Sequence, residues 1–134
     1  MRVAFQIGTV ALGIMVLSAC GGGAGTQAAT EELNRLATAA EAEFAARGEG
    51  TFFQTDYVSY CRGGSGFDEG PFAAINFASD LAGYQFCYNV SDDLKMVALS
   101  ATSMSDGTTQ CLMLDASSGQ VVQGQITDTS PCVP

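Results

Sequence analysis

Few side chains in this sequence could do chemistry, and the 134-residue chain contains no histidine at all. A Ser–His or Cys–His nucleophile pair needs an imidazole as its base, so neither arrangement can be built. Lys95 is the sole lysine, and behind Asp92-Asp93 it reads as an edge-strand charge rather than a desolvated base. The paired carboxylates Asp68-Glu69 and Asp92-Asp93 have the right groups for acid–base work. Their glycine-rich and turn contexts favour solvation, however, and no D-x-D-x-D-G calcium loop surrounds them. Gly63-Gly64-Ser65-Gly66 has the glycines of a phosphate cradle, but no lysine follows and no helix clearly begins after it. Tyr57, Tyr60, Tyr84 and Tyr88 read as core or cross-strand residues rather than a ligand platform. The sequence therefore predicts a protein that is not an enzyme and uses no cofactor and no metal.

The five cysteines are Cys20, Cys61, Cys87, Cys111 and Cys132, and no two have C-x-x-C spacing. Without that spacing or a histidine, zinc, haem and thioredoxin-like chemistry are disfavoured. Cys20 stands apart because of what precedes it. Arg2 is the only charged residue before Glu31, an apolar run extends from Val3 to Leu17, and small residues follow at Ser18-Ala19. This is the three-part layout of a secretory signal over residues 1–19. The run is about fifteen residues long where a spanning helix wants roughly twenty, so a permanent transmembrane helix is the weaker reading. Leu17-Ser18-Ala19-Cys20 resembles the lipobox of bacterial lipoproteins. The resemblance implies cleavage before Cys20, a thioether-linked diacylglycerol on its sulfur and acylation of the new amine. A thiol is the nucleophile such chemistry requires, and several acyl chains together give a firm membrane anchor. Gly21 in place of Asp resembles an outer-membrane address within that family.

Removal of residues 1–19 leaves Cys20 to Pro134, one domain's worth of chain, with 4 basic and 14 acidic residues and a net charge of −10. Such a polyanion does not track nucleic-acid backbone. It is repelled by anionic head groups unless covalently tethered, and it suits solubility first and attraction to a cationic partner second. With Cys20 assigned to lipid, an even set of four cysteines remains for an oxidising compartment, and two disulfides are expected.

Gly21 to Ala29 reads as a flexible tether, so that residues 20–29 link the lipid to a domain over 30–134. Thr30 is placed as an N-cap ahead of Glu31 and Glu32. Leu33, Leu36, Ala37, Ala40 and Phe44 share one stripe, and Gly48 supplies a stop, which predicts an amphipathic helix over 31–47. Glu31 with Arg35 and Glu43 with Arg47 have i,i+4 spacing. After Gly50 the pattern becomes strands and turns. Residues 51–60 are aromatic and β-prone, 62–71 form a loop, and 72–81 are a connection or a short element. Strands follow over 83–90, 95–104, 108–115 and 119–127. The fold class is α+β, with an N-terminal helix packed on an antiparallel meander of about four strands. If 83–90, 95–104 and 108–115 are consecutive neighbours, Cys87 and Cys111 lie two strands apart, roughly 9–10 Å. That exceeds the ~7 Å bridging limit and excludes Cys87–Cys111 together with Cys61–Cys132. The preferred set is Cys61–Cys87 with Cys111–Cys132, each closing a loop of about 20–25 residues that the chain-entropy model values at about 3 kcal/mol.

Ala40 to Gly48 running into Thr51-Phe52-Phe53, then Lys95–Thr102, Thr109-Gln110-Cys111 and Ser118-Gly119, resemble the head domain of type IV pilins and pseudopilins. The resemblance implies a helix on a meander, with a Cys pair enclosing the C-terminal loop, here Cys111 and Cys132. The apolar N-terminal segment has no acidic residue and ends in a lipobox, unlike the polymerising helix of that family. The combined expectation is a lipid-anchored envelope protein, non-catalytic, acting as an accessory or docking component of a pilus or secretion assembly. The second expectation is a small acidic lipoprotein that binds and inhibits a cationic enzyme such as a lysozyme. The position of the acids separates them: clustering favours the inhibitor, while scattered acids and an exposed apolar helix stripe favour docking.

Overall fold

The computed structural model describes residues 24–55 and 59–134. The signal segment 1–19, Cys20 and Tyr57 lie outside the described residues. Helix α1 (Ala24–Arg47) is followed by β1 (Tyr60–Arg62), the short α2 (Gly70–Ala74), β2 (Tyr84–Val90), β3 (Met96–Ser103), β4 (Thr109–Asp115) and β5 (Val122–Gln123). The strands form one antiparallel sheet in the order β1-β2-β3-β4-β5. Every neighbour in the sheet is a neighbour in sequence, the meander that short turns dictate.

Alternation sets which residues face the helix. Phe86, Tyr88, Val97, Leu99, Ala101, Leu112 and Leu114 are buried with the α1 stripe Ala29, Leu33, Leu36, Ala37, Ala40 and Phe44. The alanines let the helix axis approach the sheet closely, while the leucines fill the space between its turns. Each fully buried Leu or Phe contributes about 1.5–3 kcal/mol of transfer free energy, so this face holds most of the fold. A second aromatic group (Tyr60, Phe67, Phe72 and Phe77) closes the β1 side and stacks onto Phe86, with Phe77 and Phe86 centroids 5.7 Å apart. Gly70 is needed here: its φ is +60°, and a Cβ there would overlap the Tyr60 ring.

The helix begins well before the expected position. Residues 24–29, read as the end of a tether, form its first turns, and Ala29 is 0 % exposed against the sheet. Alanine's helix propensity and this burial together outweigh the glycine at position 25. Thr30 is accordingly no N-cap; its hydroxyl turns back to the Thr26 carbonyl at 3.0 Å. Arg35 pairs with Glu32 rather than Glu31, whereas Arg47 meets Glu43 at 3.3 Å as spaced. Among the described residues of the β-prone stretch 51–60 only Tyr60 belongs to a strand, and of 119–127 only Val122 and Gln123 do. On the latter stretch the pairing resumes at Thr127 opposite Cys111, after one extra residue relative to the register of β5.

Both disulfides join the preferred partners. Cys61 and Cys87 are directly opposed in the β1–β2 register with Cα atoms 4.1 Å apart, and Cys111–Cys132 spans 5.4 Å. The second bridge folds the C-terminal segment over the sheet face opposite α1. There the Asn89 amide donates to the Cys132 carbonyl at 2.7 Å.

Candidate functional site

With 24 residues, α1 is about 36 Å long, and each of its ends meets a different set of turns. At the starting end Gly25 lies against Tyr84, and the Thr26 carbonyl accepts from the Gln110 amide at 3.3 Å. The Met104 amide donates to the Gly83 carbonyl nearby, at 2.8 Å. At the finishing end Phe52 N–H donates to Leu94 O at 2.8 Å, Lys95 Nζ to Gly50 O at 2.6 Å, and Ala116 N–H to Lys95 O at 2.7 Å. These bonds gather the helix C-terminus, the 91–95 turn and the 115–119 turn into one surface.

Five carboxylates stand at that finishing end, Glu43, Glu49, Asp92, Asp93 and Asp115, with only Arg47 and Lys95 among them. Both cations are engaged locally. Arg47 pairs with Glu43 at 3.3 Å and Glu49 at 2.6 Å, and Lys95 is held by the Gly50 carbonyl. Arg35 is fixed by Glu32, the Ala78 carbonyl and the Phe77 ring, and Arg62 by Tyr60, with its guanidinium 4.1 Å from the ring centroid. Each described cation is therefore engaged inside the domain, and the acids dominate what a partner would meet.

Local hydrogen bonds keep several of these acids charged. The Ser91 hydroxyl, 2.6 Å away, and then the Lys95 amide hold Asp93 below the ordinary carboxylate range. Ser117 does the same for Asp115, by hydroxyl and by amide. Asp106, in the β3–β4 turn, is lowered by the Thr108 amide and hydroxyl. Glu43 moves the other way, raised mainly by burial and partly offset by Arg47. Burial also pushes the Tyr88 phenol well upward, while its hydroxyl donates to the Phe53 carbonyl at 2.9 Å.

The residues singled out in the sequence are not brought together. Asp68 lines an open groove of about 660 Å³ between 64–68 and 78–80, facing Asp80, while Glu69 approaches Arg62 at 3.9 Å. Asp92 and Asp93 sit in the β2–β3 turn at the charged end, with Lys95 beside them, and that turn leads into a central strand rather than an edge. Gly63 and Ser65 form a small bridge beside Arg62, so the glycine run is a local turn. Tyr60, Tyr84 and Tyr88 all belong to the sheet.

Asn89 and Ser100 went unmarked in the sequence. They are 5 % and 4 % exposed and line a groove of about 270 Å³ under the C-terminal segment. Their signal was alternation: they share the face of Cys87 and Cys111. Among the described residues no helix is long and apolar enough to cross a membrane. No protein-family model, no curated protein and no solved structure matches this chain.

Proposed function

We propose that this protein is a non-catalytic, lipid-anchored component of a bacterial envelope, an accessory or docking protein with a pilin-like head. Cys20 carries the lipid, the outer membrane is the address, and the partner is a protein of the envelope rather than nucleic acid. The layout that supports a pilin-like head is a long N-terminal helix on a sequential antiparallel sheet, with a stapled C-terminal segment. The observation that carries a binding role is electrostatic: the described cations are engaged internally while five carboxylates share one end. The apolar helix stripe is covered by its own sheet, so docking runs through the acidic end instead. Intact mass of the protein purified from membranes tests the reading. Acyl mass on a chain beginning at Cys20, with four hydrogens gained on reduction of the two disulfides, supports it. An unacylated chain overturns it.

The gathering of acids at one end and the covering of the apolar helix stripe by the sheet are the two observations that favour the second reading, capture of a cationic enzyme, while the layout favours the first. Lysozyme is the direct probe. Stoichiometric loss of its lytic activity in the presence of the protein supports inhibition, and undiminished lysis at saturating protein leaves docking alone.

A further inference from the structure

The groove of about 270 Å³ beneath the C-terminal segment lies on the sheet face opposite α1. Alternation sets its floor: Ser100 stands in register between Cys87 and Cys111, and Thr102 stands opposite Thr109. The polar side chains lining it are Ser59, Asn89, Ser100, Thr102, Thr109 and Ser130, and none of the lining residues is charged. One acceptor there is left over. The Asn89 amide nitrogen donates to the Cys132 carbonyl, but its Oδ1 is buried with no hydrogen-bond partner among the described residues. Ser100, equally buried, makes no side-chain hydrogen bond among the described residues either.

We infer that this groove binds a neutral saccharide, one sugar ring in extent, which donates to Asn89 Oδ1 and sets its hydroxyls against Ser100, Thr102 and Thr109. A buried acceptor without a donor is costly and rare in folded proteins. Bulk water hardly reaches this oxygen, so its donor comes from the groove that Asn89 lines. The lining selects the class of occupant. A charged ligand would give up its hydration for a wall that offers no opposite charge. An apolar ligand would leave the amide and the hydroxyls unpaired. A sugar hydroxyl both donates and accepts, as each lining hydroxyl does, so the two surfaces match in either sense. Thr102 and Thr109 bond each other at 3.0 Å, which still leaves that pair one proton to donate. Neighbouring floor positions lie about 5 Å apart across strands and about 7 Å apart along β3, within reach of a single ring. The volume equals that of roughly nine waters at their share of the liquid, room for one ring rather than a chain of them. The groove needs neither the acidic end nor the lipid at Cys20.

Isotope-labelled full-length protein, held in a detergent without a sugar head group, is titrated with N-acetylglucosamine and, separately, with glucose, followed by amide NMR. Each sugar is taken to about 100 mM, a hundredfold above a millimolar Kd. With at least one of them, the Asn89 side-chain amide and the backbone amides of Ser100, Thr102 and Cys132 are expected to shift and saturate. The affinity should be the same at about 50 mM and about 500 mM salt, because no charge lines the groove. Ser100→Ala removes no hydrogen bond within the described domain and should bind roughly three- to tenfold more weakly, the effect of one lost hydrogen bond. No shift with either sugar would leave water as the donor to Asn89 and overturn the proposal. Shifts spread over the rest of the domain, or an affinity unaltered by Ser100→Ala in a chain that keeps both disulfides, would overturn it too. None of these outcomes depends on acyl mass at Cys20 or on lysozyme inhibition.

Discussion

The two faces of the sheet are held by different physics. One face buries Phe86, Tyr88, Leu99, Leu112 and Leu114 under α1. The other presents Asn89, Ser100, Thr102 and Thr109, with only Ala98, Cys111, Cys132 and Met113 making a small apolar group. A helix cannot pack on that second face for lack of apolar area, so a covalent bridge and a side-chain hydrogen bond hold the C-terminal segment there. The contrast teaches that one sheet can be stabilised by burial on one side and by cross-linking on the other. A small domain with a single helix needs both.

The largest expected effect tests the buried face. Leu99 is central in β3 and fully buried, so Leu99→Ala should cost about 2–5 kcal/mol, read as a lower urea midpoint at unchanged slope. A loss below 1 kcal/mol would mean that the helix contributes little and would dissolve the comparison.

The staple comes next. Cys111→Ala with Cys132→Ala should cost about 3 kcal/mol by the chain-entropy estimate for a loop of this length. Far-UV circular dichroism should stay close to that of the parent, because α1 and its side of the sheet are untouched. Loss of the helical signal would show that the two faces fold as one and are not separable.

Asn89 sharpens the same contrast at a smaller scale. Its buried amide holds the Cys132 carbonyl, so Asn89→Ala should cost about 1–2 kcal/mol in the disulfide-bonded protein. In the double-alanine background the C-terminal segment is no longer fastened, and the cost should shrink. A double-mutant cycle showing full additivity would contradict that coupling.

The helix-facing side was also the more legible of the two in the sequence. Leu33, Leu36, Ala37, Ala40 and Phe44 repeat at helical spacing, and Tyr84, Phe86, Tyr88 and Val90 alternate, because apolar burial writes a period into the chain. Strand order excluded one of the three disulfide pairings, and of the two that remained the preferred one is present. What stayed hidden was non-periodic. The first turns of α1 are small and uncharged, so 24–29 look like a tether until the sheet is present to bury Ala29. The course of 119–127 depends on one extra residue between β5 and Thr127, and residues 51–55 depend on the Phe52–Leu94 hydrogen bond, which joins distant parts of the chain. The charged end was legible only as composition. Glu43, Glu49, Asp92, Asp93 and Asp115 come from three separate stretches, and only the fold gathers them.

The hydrogen-bonded acids of the turns make the smallest prediction, and pH is the handle on them. Asp93, Asp106 and Asp115 all have folded-state values below the ordinary 3.8. Ionisation of such groups favours the folded chain above the unfolded value, and the benefit disappears as pH falls through the folded values. Glu43 opposes them. Its value is raised above 4.5, so its contribution is greatest in acid and is lost as pH rises through the raised value. The melting temperature should therefore decline as pH falls below about 3.8, and a variant with Asp93, Asp106 and Asp115 all changed to Asn should flatten that decline. Glu43→Gln should leave the acid limb in place and raise stability relative to the parent only above about pH 4.5. An unchanged acid limb in the triple variant would assign the decline to other carboxylates and take the hydrogen-bonded turns out of the account.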